Sequence, residues 1–511
     1  MKSIVKILSW IIVFAVAITM ATPRLPRQMT DADVYGAEKN NEISVIFTHD
    51  MHSHMDTDKK IKNGKIVNVG GFAKLKAAMD ETERENPGSF IVDAGDFSMG
   101  TPYQTIFSEE ASELKMMKYL GYEAVTFGNH EFDYRAVGLA SMLREAKGEG
   151  PEIAASNIDW KKTIADKELK KDASALKEAC DNYGVKNYIV INHGDVKIAA
   201  FGLMGKTAVE YAPESGLLFE DAAQRAAETV EEIKAKEDVD MIVCLSHCGT
   251  IENEEDKMEE SEDYMLAGEV PDIDLIISGH SHTVLPEAVQ VGDTYIVSCG
   301  SYNANMGHVV LKKAGDRYKI KSYELVPLDE SIRGDVSVDE ELSKYKALAD
   351  KEYFEDYGYS AQQVIAQNDI EFTPIEEFGL TQGEDTLGNL IADSYKYAVA
   401  NATENKSGQN ANSETGRGTY ENEADITVIP SGVIRGSLFR GDVTVADAFN
   451  ILSLGYGKDG SSGYPLVRVY LTGRELKDAA EVDASISNFM GVARLYSSGL
   501  EYSWNDNRLI L

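Results

Sequence analysis

ISVIFTHDMHSH, residues 43–54, decides how the chain is read. Its first five residues, Ile43 to Phe47, form a short apolar, β-rich run of the kind that makes a buried strand. Metal-binding residue types follow at once, with Asp50 and His52 at spacing i, i+2, so an extended backbone would turn both side chains to one side. Four further runs repeat this arrangement downstream. Phe90 to Val92 precedes Asp93 and Asp96 in DAGD, where Gly95 permits a tight turn, and Ala124 to Phe127 precedes Asn129, His130 and Asp133 in GNHEFD. Met241 to Leu245 precedes His247 in LSHCG, and Leu275 to Ile277 precedes His280 and His282 in SGHSH. Short apolar runs alternating with helical patterns mark an α/β domain, and such domains gather their ligands at the carboxyl ends of the strands.

Taken singly, each motif is weak, because a lone His beside a strand is more often structural and DAGD is a common turn. The set is stronger than its members. Five of the nine histidines, His52, His130, His247, His280 and His282, sit just past four of the five runs, and Asp93 and Asp96 sit past the other. The remaining His49, His54, His193 and His308 are read as packing or surface residues. Carboxylate oxygen mixed with neutral imidazole nitrogen suits borderline divalent ions such as Zn²⁺, Mn²⁺, Fe²⁺ or Co²⁺. Three carboxylates or carboxamides plus four histidines exceed what one ion with an open position can hold, so two ions sharing a bridging carboxylate are expected.

A chain of 511 residues favours two or more domains over one core. Its 50 basic and 85 acidic side chains leave a net charge of −35. That field repels a polyanion, and no basic stretch carries interleaved aromatics, which argues against a nuclease acting on polymeric DNA or RNA. Lys2 and Lys6 precede an apolar stretch from Ile7 to Ala21, so residues 1–21 are expected to be a signal peptide or an N-terminal anchor, and the protein to be secreted or held at the cell surface. Residues 22–41 then form a connector, 42–330 the domain bearing the motifs, 331–360 a linker and 361–511 a second domain. The charged stretch Asp339 to Tyr359 lacks a strong apolar face and is expected to be an exposed helix. Beyond it come a helical pattern from Thr386 to Ala400, a polar low-complexity stretch over 401–423 and a strand signal from Ile426 to Ile429. Cys180, Cys244, Cys248 and Cys299 are too few and scattered for a disulfide framework and read as small buried residues.

The order D-x-H, G-D, G-N-H-E, a His after an apolar strand and then G-H-x-H resembles the calcineurin-like metallophosphoesterases. The fuller strings THDMHSH, VDAGD, FGNHEFD, LSHCG and ISGHSH resemble its 5′-nucleotidase branch, which includes 2′,3′-cyclic-nucleotide phosphodiesterase and UDP-sugar hydrolase activities. The likeness is specific over the first domain. It is looser over the second, where LGNLIADS (387–394), SGVIRGS (431–437), GDVT and LTGRELK echo the family. The resemblance implies an α/β fold: a four-layer α/β/β/α sandwich followed by a second α/β domain of 5′-nucleotidase type. It places one metal on Asp50, His52, Asp96 and His282, and the other on Asp96, Asn129, His247 and His280, with Asp96 bridging. His130 and Asp133 match the family's catalytic pair. The implied protein is a phosphohydrolase acting on nucleoside monophosphates and related nucleotide esters, whose two ions make hydroxide available near neutral pH and neutralise the phosphate.

The second domain departs from the pattern. Arg435 matches the family's arginine, but Ser431 replaces the usual Asn, and Glu377 and Thr381 stand where further arginines are expected. Ser453-Leu454-Gly455-Tyr456 replaces P-F-G-N, removing one ring of the base clamp, for which Tyr456 or Tyr496 is the candidate substitute. The chain reaches Leu511 without the G-G-D-G-Y-like segment that usually closes this domain, so the domain is expected to be incomplete there. A phosphatase or phosphodiesterase for a non-nucleotide ester is the alternative within enzymes. A non-catalytic binding protein on the same scaffold is the alternative outside them, and intact ligand types at all five strand ends argue against it.

Overall fold

Side-chain alternation along the strands explains how the N-terminal half stacks. The computed structural model describes residues 42–503 apart from 63, 252–256, 379–383, 402–423, 458 and 487–492. The expected signal segment and connector, nearly all of the low-complexity stretch, Thr381 and the chain end at Leu511 therefore lie outside the described residues.

One six-stranded sheet runs in the order Arg317–Pro327, Asn305–Ala314, Glu42–Thr48, Phe90–Asp93, Ala124–Val125, Glu152–Ile153. A second runs Val289–Val291, Thr294–Val297, Leu275–Ser278, Met241–His247, Val196–Met204, Tyr188–His193. Ile43, Val45, Phe47, Phe90 and Val92 of the first sheet share a buried cluster with Met241, Val243, Leu245, Leu275 and Ile277 of the second. Their neighbours in sequence point the other way, as the period of two requires. Ile46 and Ile91 pack with Leu75 and Met79 of helix Phe72–Glu85 and with Leu139 and Leu143 of helix Arg135–Glu145. Phe201, Ile242 and Cys244 pack with Val230 and Ile233 of helix Ala222–Lys236 and Leu266 of helix Glu262–Glu269. The layers are thus α/β/β/α.

The helices are written into the sequence by caps and stripes. In Ala222–Lys236 the Asp221 side chain accepts from Gln224 N at 2.9 Å, and Ala226, Thr229, Val230 and Ile233 form the buried stripe. The charged connecting segment forms helix Val336–Glu352, capped by Asp335. It is not wholly exposed: Val338 and Leu342 enter the same core as the first sheet's helices, and Ala349 is also buried. With Tyr345, half-buried against that core, they form a narrow stripe at i, i+4, i+7 and i+11 that the surrounding charges mask in the sequence.

The C-terminal domain has its own core of Leu387, Ile391, Ala392, Ile429, Ile434, Ile451 and Tyr496. It is built from helices Thr386–Asn401, Val445–Ile451 and Gly473–Ile486 and two strand pairs, Val364–Asn368 with Gly441–Thr444 and Thr427–Pro430 with Leu495–Ser498. Gln104 Nε2 donates to Ser453 O at 2.6 Å, and Arg135 donates to Tyr456 O at 3.1 Å and Gly457 O at 3.2 Å, which ties this domain to the first. The four cysteines are free and buried. Among the described residues no helix is long and apolar enough to cross a membrane.

Candidate metal centre

The strand ends deliver their ligand-type residues through turns that only a packed structure can enforce. Strand Glu42–Thr48 stops before Asp50, and the backbone turns left-handed at Asp50 (φ 51°), His52 (49°) and Ser53 (55°). Asp50 and His52 therefore converge through left-handed turns and not through an extended i, i+2 pair. The turn is clipped to the DAGD loop by Asp50 N to Gly95 O, His52 N to Asp96 O and Ser53 N to Phe97 O, each 2.9 Å. Asp96 (55°), His280 (75°) and His282 (54°) are left-handed as well. Non-glycine residues pay on the order of 1–3 kcal/mol each for such positions, and clustering of that strain is a mark of functional sites.

Asp50, His52, Asp96, Asn129, His247, His280 and His282 come together at one end of the two sheets. Asp50 Oδ1 lies 3.6 Å from His282 Nε2 and 3.8 Å from His52 Nε2. Asp96 Oδ2 lies 3.1 Å from His247 Nε2 and 3.8 Å from His52 Nε2. His280 Nδ1 faces Asn129 Oδ1 at 3.0 Å. Potential ligand atoms of Asp50, His52 and His282, and those of Asp50, Asp96 and His247, lie within 4.8 Å of one another, as do those of His52, Asp96 and His130.

Hydrogen bonds assign the tautomers, and the assignment suits cations. His52 Nδ1 donates to Met99 O at 3.0 Å and His247 Nδ1 to Ala94 O at 2.8 Å, so each Nε2 keeps a lone pair. His52 Nε2 then faces His282 Nε2 at 3.0 Å, and the Nε2 atoms of His247 and His280 are buried without a hydrogen-bond partner. Such buried orphans are costly unless something binds them. Burial alone would raise Asp50 and Asp96, but the surrounding imidazoles hold both below the usual carboxylate range. Burial holds His280 down to about 4 and His282 down to about 3, leaving neutral donors. At His247 burial is outweighed by the Asp96 carboxylate, 3.1 Å from Nε2, which pushes it up to about 10: this nitrogen calls for a positive charge, and a cation there would take the place of its second proton. Two buried carboxylates ringed by lone-pair nitrogens fit divalent ions.

Beside this cluster His130 Nδ1 lies 2.6 Å from Asp133 Oδ2. Burial opposes protonation of His130, but the charges of Asp133 and Asp96 raise it above its ordinary value. Arg435, from the C-terminal domain, lies 6.0 Å over the ring of Tyr302, whose edge meets His52 and His282. Its charge helps to lower His52, His130 and His282. The ring of Tyr456 packs 5.1 Å from Tyr134, next to Asp133. Tyr496 does not join the site. It is 2 % exposed in the C-terminal core, with its hydroxyl on Asp385, which leaves no free face for a stacked base.

Three residues outside the sequence-based set shape this site. Glu131 accepts from Asp96 N (3.0 Å), Gly128 N (2.7 Å), Ser98 N (3.0 Å) and Ser98 Oγ (2.9 Å), bracing the DAGD and GNHE loops together. Gly128 leaves room where a methyl would stand 2.6 Å from His247 Cε1. His49 is not mere packing: its Nδ1 sits 2.6 Å from Asp50 Oδ2. The signal for Glu131 and Gly128 was their place inside the GNHE string. The other unassigned histidines do pack or face the surface, His54 on Asp58, His193 on Glu123 and His308 on Ser44 and Glu324.

The calcineurin-like phosphoesterase model matches residues 43–284, and the model of the 5′-nucleotidase C-terminal domain matches residues 364–509. The trifunctional nucleotide phosphoesterase protein YfkN of Bacillus subtilis (strain 168) is 28% identical over 490 residues, which cover 91% of this chain and 29% of YfkN. The chain thus spans under a third of that relative. The 5′-nucleotidase of Vibrio parahaemolyticus serotype O3:K6 (strain RIMD 2210633) is 25% identical over 455 residues, 83% of this chain and 73% of its own. The structure of the 5′-nucleotidase precursor from Thermus thermophilus shares the fold, with TM-score 0.66 and 22% identity over 91% of this chain and 83% of that one.

Proposed function

Because the chain belongs to the calcineurin-like phosphoesterases and carries a 5′-nucleotidase-type C-terminal domain, we propose that it is an exported, metal-dependent hydrolase releasing phosphate from nucleoside monophosphates and related nucleotide esters. The observation that carries the reading is the crowding of Asp50, His52, Asp96, Asn129, His247, His280 and His282 beside the His130–Asp133 pair. Two divalent ions held by those seven residues, with Asp96 shared, would neutralise the phosphate oxygens and make hydroxide available at the phosphorus. The chain supplies the rest. Asp133 accepts from His130 Nδ1 and fixes the ring, so the Nε2 proton of the imidazolium can pass to the leaving alkoxide oxygen as the P–O bond breaks. Arg435 adds charge on the substrate side, and of the two candidate rings Tyr456 is the one left in play, packed on Tyr134, the residue after Asp133. Export is supported by the sequence of residues 1–21 alone.

Phosphate release tests the proposal. The chelated protein is reloaded with Mn²⁺, Zn²⁺ or Co²⁺ and offered AMP, 2′,3′-cyclic AMP, UDP-glucose and an aryl phosphate. AMP turnover that vanishes on chelation and returns with metal is expected. Preference for the cyclic or sugar nucleotide would shift the substrate within the family, and preference for the aryl ester would reject a nucleotide substrate. Inactivity of the fully metallated protein on all four would leave a binding protein.

A further inference from the structure

The two oxygens of Asp50 face different ways. Oδ1 looks toward the Nε2 atoms of His282 (3.6 Å) and His52 (3.8 Å). Oδ2 looks away from them, receiving the His280 N–H at 2.9 Å, a bond shared more weakly with Oδ1 at 3.2 Å, and lying 2.6 Å from Nδ1 of His49. The second of these contacts has a fixed direction. His49 Nε2 stands 2.8 Å from the backbone nitrogen of Cys299, and a backbone N–H can only donate, so Nε2 carries the lone pair and the ring proton sits on Nδ1. Ser298 Oγ, 3.2 Å from Nε2, gives its own proton to Thr283 O at 2.7 Å. Cys299 lies just beyond strand Thr294–Val297 of the second sheet, whereas Asp50 follows a strand of the first. The buried imidazole thus spans the two sheets as a rigid strut between a main-chain donor and a carboxylate oxygen.

We propose that His49 is a positioning residue of the metal centre: its Nδ1–H occupies Oδ2 of Asp50 and so presents Oδ1 to the cation that Asp50 would share with His52 and His282. The assignment rests on the reading of this cluster as a metal centre. Groups that orient a ligand in this way commonly control metal affinity by about 10–100-fold. Asp96 is arranged alike, with Oδ1 occupied by the His130 N–H at 2.8 Å and Oδ2 turned to His247, but there the main chain does the work and no side chain is needed.

The test is Mn²⁺ binding to the full chain by competition with a chelator, for wild type, His49→Leu, His49→Ala and His49→Asn. Leu keeps bulk without a donor, Ala removes both, and Asn keeps an N–H near the position of Nδ1. Melting of the chelated proteins, followed by circular dichroism, identifies any variant that fails to fold, and Ala stands in if Leu does. The expected result is a loss of about 10–100-fold in affinity for one of two bound equivalents in Leu and Ala, with Asn within about threefold of wild type. Wild-type binding of both equivalents by a folded Leu or Ala variant overturns the role of His49 alone, as does equal loss in Asn and Leu, which would make the ring's volume the cause. Failure of the wild-type protein to bind Mn²⁺ would instead overturn the metal centre itself, and His49's part with it.

Discussion

A single methyl at Gly128 is a sharp probe of how tightly the centre is built. In Gly128→Ala the new carbon would stand 2.6 Å from His247 Cε1 and 2.6 Å from Asp96 N, and closer still to Asp96 Oδ1. Carbon atoms prefer about 3.5–4.0 Å, so both neighbours must retreat by roughly 1 Å. Neither is free to do so: Asp96 N is held by Glu131 at 3.0 Å and His247 Nδ1 by Ala94 O at 2.8 Å. Overpacking of this kind costs about 1–3 kcal/mol in stability. The functional loss should be larger, since a displacement of about 1 Å in a reacting constellation costs on the order of 10²-fold in rate. The assays are bound-metal stoichiometry and phosphate release from AMP. Gly268→Ala is the control: it lies in helix Glu262–Glu269 with nothing within 4 Å of the added carbon, and should gain about 0.5–1 kcal/mol. A Gly128→Ala protein with two ions and wild-type turnover would refute the close packing of Asp96 against His247.

Three further outcomes are expected. His130→Ala should lower turnover by about 10²–10⁴-fold while retaining metal, whereas Asp96→Ala should lose metal as well; equal metal loss in both removes the division of labour between them. Arg435→Ala should keep its metal and lower kcat/KM by about 10–100-fold, the worth of one charge-assisted contact to phosphate, and unchanged kcat/KM would place Arg435 outside the substrate path. Burial pushes Glu113 from 4.5 up to about 7, so the folded state keeps this proton where the unfolded chain has lost it, and the resulting stability is full below pH 4.5 and lost as pH rises to 7. Denaturation of Glu113→Gln should therefore gain on wild type by up to about 3 kcal/mol between about pH 5 and pH 8, and a constant difference would refute the buried carboxyl.

What the sequence revealed, and what it hid, follows the range of the interactions. Strands such as Met241–His247 and Leu275–Ser278 were legible because short unbroken apolar runs containing β-branched residues mark them. The polar residues just past them were legible because strand ends in α/β sheets face ligands. The left-handed turns at Asp50 and His52 were not: Asp and His enter that region more readily than most residues but still rarely, and the turn is imposed by residues 95–97, far along the chain. His49 carried no signal, for its role depends on a backbone N–H at Cys299. The burial of Tyr496 was likewise invisible, because a two-strand pair with Thr427–Pro430 decides which face of a short strand points inward.

The position of the cluster also explains why so many ligand types come from distant segments. Asp50, Asp96 and Asn129 follow strands of the first sheet, while His247, His280 and His282 follow strands of the second or end them. His280 N–H reaches Asp50 across 230 residues of sequence. Between the sheets lies only an apolar core, which resists separation but is indifferent to small sliding, because burial of apolar area has no direction. The directional bonds at the strand ends, Cys299 to His49, Asn129 to His280 and His247 to Ala94, supply the register that the core does not. Ions shared by carboxylates of one sheet and imidazoles of the other would add cross-links of the same kind. Metal would then bind the stacked arrangement and not the unfolded chain, and its binding energy would offset the strain held in the left-handed turns.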